Sequence, residues 1–314
     1  METKTIKKKA WTLSDWQLFC GASLGFIFLF VFAYLPMVGM ILAFKDGDFE
    51  ADLLKVMLTG EWVGLRNFRN FWLDMQFKNI MLNTAGLNLL MLFINFPAPI
   101  IFALLLNEVT HSKFKRVAQS VTIFPHFLSW TIFGGIILAV TNMNSGIINP
   151  ILNVFRLSSP GNPINLAKAE YTWVIIIISS LIKNAGWSSI IYLAAITGVS
   201  PSLYEAAEID GAGRFKQMYY ITLPSIAQTI TVYFLLALGN FFTNSFEQFY
   251  IFQNGVNLSR SEVLTTYIYK MGIGSGTRKF SYTAAMGIFE SIIGFALLVI
   301  GNFISKKTTS RGIF

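Results

Sequence analysis

A lysine stands near the middle of the apolar stretch 171–195, at Lys183. An isolated charge at that depth costs about 2.5–3.5 kcal/mol on insertion scales, so it must face water, a partner group or both. Glu247 and Glu290, in the apolar stretches 227–252 and 284–304, are the carboxylates available for an ion pair. The other reading has Lys183 facing a cavity, where it would bind a polar or acidic group of a passing solute, such as a uronate. Nearby, Asn240, Asn244, Glu247 and Gln248 recur at helical spacing and fall on one face, with Phe241 beside them. Asn184, Trp187 and Ser188 repeat that mixture in 171–195. Amides and carboxylates hydrogen-bond hydroxyls while an aromatic ring covers an apolar face. The same amides would also serve as glue between helices. Other chemistry finds little support. His111 and His126 are the only histidines and Cys20 the only cysteine, which argues against a Cys/His metal site and a disulfide framework. His126 is expected to pack in the interior. No nucleophile, base and orienter constellation stands out, so no catalytic residue is assigned. No G-x-x-x-x-G-K-[ST] loop occurs either, so the chain cannot cradle ATP phosphates that way.

The elements that must position these residues are membrane spans. The chain is 54% hydrophobic and only 13% charged, with a mean hydropathy of +0.56. A helix crossing the hydrocarbon needs about 20 mostly apolar residues, and six stretches qualify: 18–44, 80–106, 121–140, 171–195, 227–252 and 284–304. The first is too long for the roughly 7–15-residue core of a signal peptide, so it is expected to remain in the protein. A net charge of +8 is accounted for by anionic headgroups and the positive-inside bias rather than by nucleic acid. Lys4, Lys7, Lys8 and Lys9 before the first span, and Lys306, Lys307 and Arg311 after the last, place both termini in the cytoplasm. Trp11 and Trp16, with Asp15 between them, suit a short interfacial helix. The expected organisation is an N-terminal interfacial segment 1–17, one transmembrane domain 18–305 and a cytoplasmic tail 306–314.

Between the fourth and fifth spans, 200–225 is well punctuated. Ser200 before Pro201 is one way to start a helix, and a capping box of Ser202 and Glu205 is the other. Asp210-Gly211 ends it, because glycine accepts the left-handed conformation. A second short helix follows over about 214–221, and Pro224 is expected to break the chain before span five.

In this segment Glu205-Ala206-Ala207, Asp210-Gly211-Ala212, Ile221, Leu223 and Pro224 resemble the EAA loop of binding-protein-dependent ABC permeases. Met218 and Tyr219 depart mildly from the phenylalanines common there. The resemblance implies an all-α polytopic membrane protein of about six transmembrane helices with the MetI-like permease fold. In that family the loop is a coupling helix docking on a cytoplasmic ATPase, which makes Glu205, Ala206, Ala207, Asp210 and Gly211 the coupling residues. Trp62 to Phe68, Asn83-Thr84, Ala103 to Asn107, Phe124-Pro125-His126-Phe127-Leu128-Ser129-Trp130 and Gly146 to Asn149 are similar to the carbohydrate branch. That likeness implies half of a path for oligosaccharides through a bacterial plasma membrane. The implied partners are a second, non-identical permease, an ATPase dimer that binds ATP and magnesium, and an external solute-binding protein docking on 142–170 and 253–282. No cofactor is expected in this chain. The alternatives are an ion-coupled carrier using Lys183, Glu247 and Glu290, and an ABC permease for a cargo other than sugar.

Overall fold

Long apolar runs become long helices because a backbone in hydrocarbon can satisfy its polar groups only within itself. The computed structural model describes residues 12–50, 52–159, 161–243, 245–274 and 276–309. Among them every named element is helical. Five helices are long and apolar enough to cross a membrane, or six when one bent pair counts as a span.

Helix α1 (Leu13–Phe44) begins at a reciprocal cap. The Thr12 hydroxyl accepts from Asp15 N at 3.3 Å, and Asp15 Oδ2 accepts from Thr12 N at 2.8 Å. From Leu13 onward, therefore, the expected interfacial segment is continuous with the first span; Trp11 and the lysines before it lie outside the described residues. A π-helical turn at Phe30–Tyr34 makes room for Pro36. No residue of α1 from Leu13 to Met37 is buried, whereas Leu42 and Ala43 pack into the bundle.

Two short helices, α2 (Leu53–Thr59) and α3 (Arg66–Trp72), lead to the second span, α4 (Phe77–Glu108). It is interrupted at Asn95 and Phe96, just before Pro97. The third span differs from the expected straight helix over 121–140. It consists of α5 (Ser112–Phe127) and α6 (Trp130–Val140), which meet at 104°. Pro125 tightens the chain into a 3-10 turn over Phe124–Phe127, and Leu128 is extended with ψ 142°. Ser129 then starts α6, its Oγ accepting from Ile132 N at 3.2 Å.

After α7 (Ile148–Val154), the fourth span α8 (Ala169–Thr197) runs 29 residues without interruption. It is followed by α9 (Pro201–Ile209) and α10 (Arg214–Gly239). Pro224 does not break the chain as expected: a π-helical turn at Met218–Thr222 absorbs it, and the helix continues. The fifth span was anticipated over 227–252, yet α10 stops at Gly239 and the chain resumes as α11 (Phe246–Phe252). The stop sits where α10 presses on the last span. A Cβ on Gly294 would lie 2.6 Å from the Gly239 carbonyl oxygen, and Asn240 supplies a residue that competes with helix hydrogen bonds. Short helices α12 (Leu258–Ser261) and α13 (Leu264–Tyr269) precede the last span, α14 (Phe280–Thr309).

Alternation of the spans gathers 45–76, 141–168 and 253–279 at one end. There Tyr267 and Tyr282 donate to Asp74 Oδ2 at 2.8 and 2.7 Å, and Trp173 Nε1 donates to Arg260 O at 2.8 Å. Segments 109–111 and 198–213 gather at the other end, where Arg214 lies 3.9 Å from Glu108. Among the described residues three apolar clusters fill the interior. One unites Leu87, Phe133, Ile176, Phe249 and Val263, a second Phe71, Ile80, Leu264, Tyr267 and Met286, and a third Ile100, Leu104, Tyr192, Ile196 and Ile226.

Candidate functional site

A set of polar residues lies where α4, α8 and α10 meet. Asn88 and Asn95 of α4, Ser180 and Asn184 of α8, and Asn240 and Phe241 beyond α10 line a cavity of about 270 Å³. A second cavity of about 330 Å³ shares Asn95, Phe96, Ala237 and Asn240 and adds Ser188, Tyr192 and Tyr233. The two form one groove along α8. Two of its amide atoms, Asn88 Nδ2 and Asn95 Oδ1, are buried without a hydrogen-bond partner among the described residues. Unpaired buried groups cost free energy, so they mark where a polar solute would gain contacts. Sequence reasoning missed Asn88, Asn95 and Ser180. For the asparagines a signal was there: Asn88 and Asn95 stand seven residues apart in a mostly apolar span, a spacing that puts them on one helix face.

Of the residues singled out from sequence, Asn184, Ser188, Asn240 and Phe241 line this groove, and Trp187, next to Ser188 on α8, does not. The Trp187 ring stacks on His126 at 4.6 Å with 4° between planes, and meets the edge of Phe127 at 5.9 Å. Asn184 Oδ1 accepts from His126 Nδ1 at 3.3 Å. His126 is thus packed, as expected, though only half-buried.

The shared face expected for Asn240, Asn244, Glu247 and Gln248 is not formed, because the helix ends at Gly239 and restarts at Phe246. Asn244 lies outside the described residues. Glu247 is exposed in the first turn of α11, a position favoured for a carboxylate by the helix dipole. Gln248 is buried and its Nε2 donates to Ile176 O at 3.2 Å, tying α11 to α8.

Lys183 follows neither expectation. It is 4% exposed, it makes no ion pair with Glu247 or Glu290, and it does not line the groove. Its Nζ donates to the carbonyls of Pro125 at 3.1 Å, His126 at 3.2 Å and Leu128, all in the bend between α5 and α6. Trp130 and Phe133 place ring centroids 5.2 and 5.5 Å from it. The partners are backbone oxygens, which no side-chain pattern announces.

At the 198–213 end, α9 starts on Pro201 with Ser200 before it, but the Ser200 hydroxyl pairs with that of Ser202 at 2.8 Å and caps no helix N–H. Asp210 closes the helix and Gly211 adopts φ +74°, where a Cβ would be strained. Ala212 N donates to Ala207 O at 2.8 Å, completing the turn. Glu205 and Ala206 are exposed and Ala207 is half-buried. Around them Ile209 and Phe215 are 88% and 82% exposed, so this turn presents apolar surface with a carboxylate beside it. Among the described residues no group of three or more His, Cys, Asp or Glu is gathered to hold a metal.

Residues 57–310 match the family described as the binding-protein-dependent transport system inner membrane component. The chain is 40% identical to protein LplB of Bacillus subtilis (strain 168) over 92% of its own length and 88% of that protein's. It is 39% identical, with the same coverage, to the polygalacturonan/rhamnogalacturonan transport system permease protein YteP of the same organism. A bacterial ABC transporter crystallised in complex with an alginate pentasaccharide-bound periplasmic protein contains a chain that superposes with a TM-score of 0.84. That chain is 30% identical, with 96% of this chain and 97% of it covered. Breaks, groove and loop therefore sit in a known architecture, and the chain belongs to the binding-protein-dependent transport family as a membrane-embedded permease subunit of an ABC importer.

Proposed function

We propose that this permease carries oligosaccharides released from complex, in part acidic, polysaccharides, and that the groove along α8 is its half of the path. The observation that carries this is the amide and aromatic lining at mid-span, with two asparagine atoms left unpaired. Amides pair with sugar hydroxyls and ring oxygens, and carboxylate-bearing sugars are equally served by amide N–H groups. The cargoes of those relatives, polygalacturonan/rhamnogalacturonan and alginate, are of that class. Trp187 and Phe241 supply aromatic faces for the apolar side of a pyranose.

In this reading a second, non-identical permease closes the groove, and an ATPase dimer holding ATP and magnesium docks on Glu205, Ala206, Ala207, Asp210 and Gly211. A solute-binding protein delivers cargo to the opposite end, onto 142–170 and 253–282, where α7 leaves Ile147, Ile151 and Phe155 exposed. Both termini then face the ATPase side.

The test is uptake of defined neutral and uronic-acid oligosaccharides into vesicles holding the complete complex, with ATP hydrolysis measured in parallel. Trp187→Ala is expected to weaken uptake at limiting cargo while the complex still assembles. Glu205→Lys and Gly211→Val are expected to abolish cargo-stimulated hydrolysis. Uptake that persists without ATP overturns the ABC mechanism, and uptake unchanged by Trp187→Ala overturns the placement of the path.

A further inference from the structure

The bend between α5 and α6 raises an accounting problem that hydrocarbon makes severe. A 104° turn at mid-span leaves the last carbonyls of α5 short of helical partners: that of Pro125 keeps only the Leu128 N–H, at 3.3 Å, and no water is at hand in lipid for the rest. Lys183 meets that demand with matched stoichiometry. An ammonium has three N–H donors, and three carbonyls of the bend, those of Pro125, His126 and Leu128, receive them. The cation also sits at the C-terminal, negative end of the α5 dipole and against the faces of Trp130 and Phe133.

The neighbours of Lys183 on α8 complete the seat. Asn184 Oδ1 accepts from the His126 ring, and Trp187 stacks on it. At Gly186 the two backbones touch: a Cβ there would lie 2.2 Å from the Thr122 carbonyl oxygen. The run from Lys183 to Trp187 thus reads as a socket for the bend from Phe124 to Trp130. Asn184 lines the groove and Trp187 packs on the bend one turn further along α8, while Lys183 grips the backbone behind it.

The geometry points to Lys183 as a positioning residue for cargo recognition: by fixing the bend's carbonyls it holds His126 and Phe127 against Trp187 at the edge of the path. This rests on the reading of the groove as the path. Lys183 touches no cargo itself; it acts through His126 and Trp187. The mid-span charge that suggested ion coupling or an acidic cargo is thereby assigned a backbone role.

Two readouts test this in the complete reconstituted complex. The first is bridging of His126→Cys to Asn184→Cys by a short bifunctional thiol reagent, in a Cys20→Ser background, with and without a substitution at 183. The second is oligosaccharide uptake at limiting and at saturating cargo. Lys183→Met is expected to lower bridging yield and to weaken uptake about tenfold at limiting cargo, the size of one lost charged hydrogen bond, with a smaller change at saturation. Lys183→Arg, which keeps charge and several donors, is expected to restore most of both. Should Lys183→Met fail to assemble, Lys183→Arg and Lys183→Gln carry the test, with Gln expected to fall below Arg in both readouts. Parent-level bridging in Lys183→Met, or in Lys183→Gln, overturns the proposal, as does Lys183→Arg bridging no better than Lys183→Gln. If Trp187→Ala leaves uptake unchanged while the Lys183 variants lose bridging, the path reading falls and the grip of Lys183 on the bend stands.

Discussion

Helix α8 crosses in one piece of 29 residues, whereas three neighbours are interrupted: α4 at Asn95 and Phe96, α5 and α6 at 125–129, and α10 after Gly239, before α11. This unbroken helix buries several polar side chains, among them Thr172, Ser179, Ser180, Lys183 and Ser189. The broken ones have released backbone groups. The two facts are one arrangement seen from both sides. A spanning helix can be interrupted only where other groups re-satisfy its backbone, and α8 provides them. It does so at the bend of α5 through Lys183; beside the other two breaks its Ile177 and Ile176 carbonyls instead hold side-chain amides, Asn95 Nδ2 at 3.4 Å and Gln248 Nε2 at 3.2 Å. Polar atoms otherwise too costly in a membrane thereby gather at one depth, and that depth is where the groove opens.

If α8 is the post on which the broken spans hang, damage at its contact points should exceed damage elsewhere. The largest effect is expected from Gly186→Val, because even a Cβ would lie 2.2 Å from the Thr122 carbonyl oxygen, which is backbone and cannot step aside. A loss of about 3 kcal/mol or more, seen as loss of assembled complex after detergent extraction, is the expected outcome. Gly287→Ala, with nothing within 4 Å of its Cβ, should assemble normally; equal damage from both would break the comparison.

Next comes Gly294→Val, where a Cβ would meet the Gly239 carbonyl oxygen at 2.6 Å. A cost of about 2 kcal/mol is expected, read as a lower midpoint of thermal unfolding, because this contact joins α10 to α14 rather than to α8. Gln248→Leu is smaller again. It removes the bond to the Ile176 carbonyl, which the helix itself also uses, so about 1 kcal/mol is expected. A shift as large as that of Gly186→Val would mean α11, rather than the bend, is the principal client of α8.

The smallest effect lies away from the breaks, at Asp74. Burial pushes its carboxyl upward, but the Tyr282 hydroxyl, the Gln76 N–H and the Tyr267 hydroxyl together outweigh burial and hold it below the ordinary range. A depressed carboxylate contributes stability that is present above its unfolded value, about 3.9, and lost as pH falls through the folded one. Thermal midpoints should therefore drop on acidification below about pH 4, and Asp74→Asn should flatten that drop while costing under about 1 kcal/mol at neutral pH, since the site is partly open to solvent. An unchanged acid profile in Asp74→Asn would remove Asp74 as a source of pH dependence.

The sequence was legible where local chemistry is self-contained. Spans one, two, four and six follow from apolar length alone, and the turn at 210–211 follows from glycine and its neighbours. Breaks were harder. Pro125 and Ser129 stand in the bend as a breaker and a cap, yet an apolar run on both sides reads as one span to any test of hydropathy. Pro224 misled in the other direction, because a π-helical turn, which has no residue signature, absorbs it. Asn240 to Gln248 showed helical spacing over a stretch that is not one helix, since spacing is defined only once the helix exists. Lys183 announced its depth but not its partners, because carbonyl oxygens look the same at every residue.

The continuity of α10 has a mechanical consequence. Its 26 residues make a rod of about 39 Å, rooted in the exposed turn at 210–213 and ending at Gly239, against the groove. A rod converts a small rotation at its foot into a larger sweep at its tip: a tilt of about 10° over that length moves the far end by roughly 7 Å. Gly239 and Asn240, at the tip, would sweep across the groove in front of α8. Had Pro224 broken the helix, that swing would be lost in a joint near the foot; the wide turn at Met218–Thr222 keeps the lever in one piece.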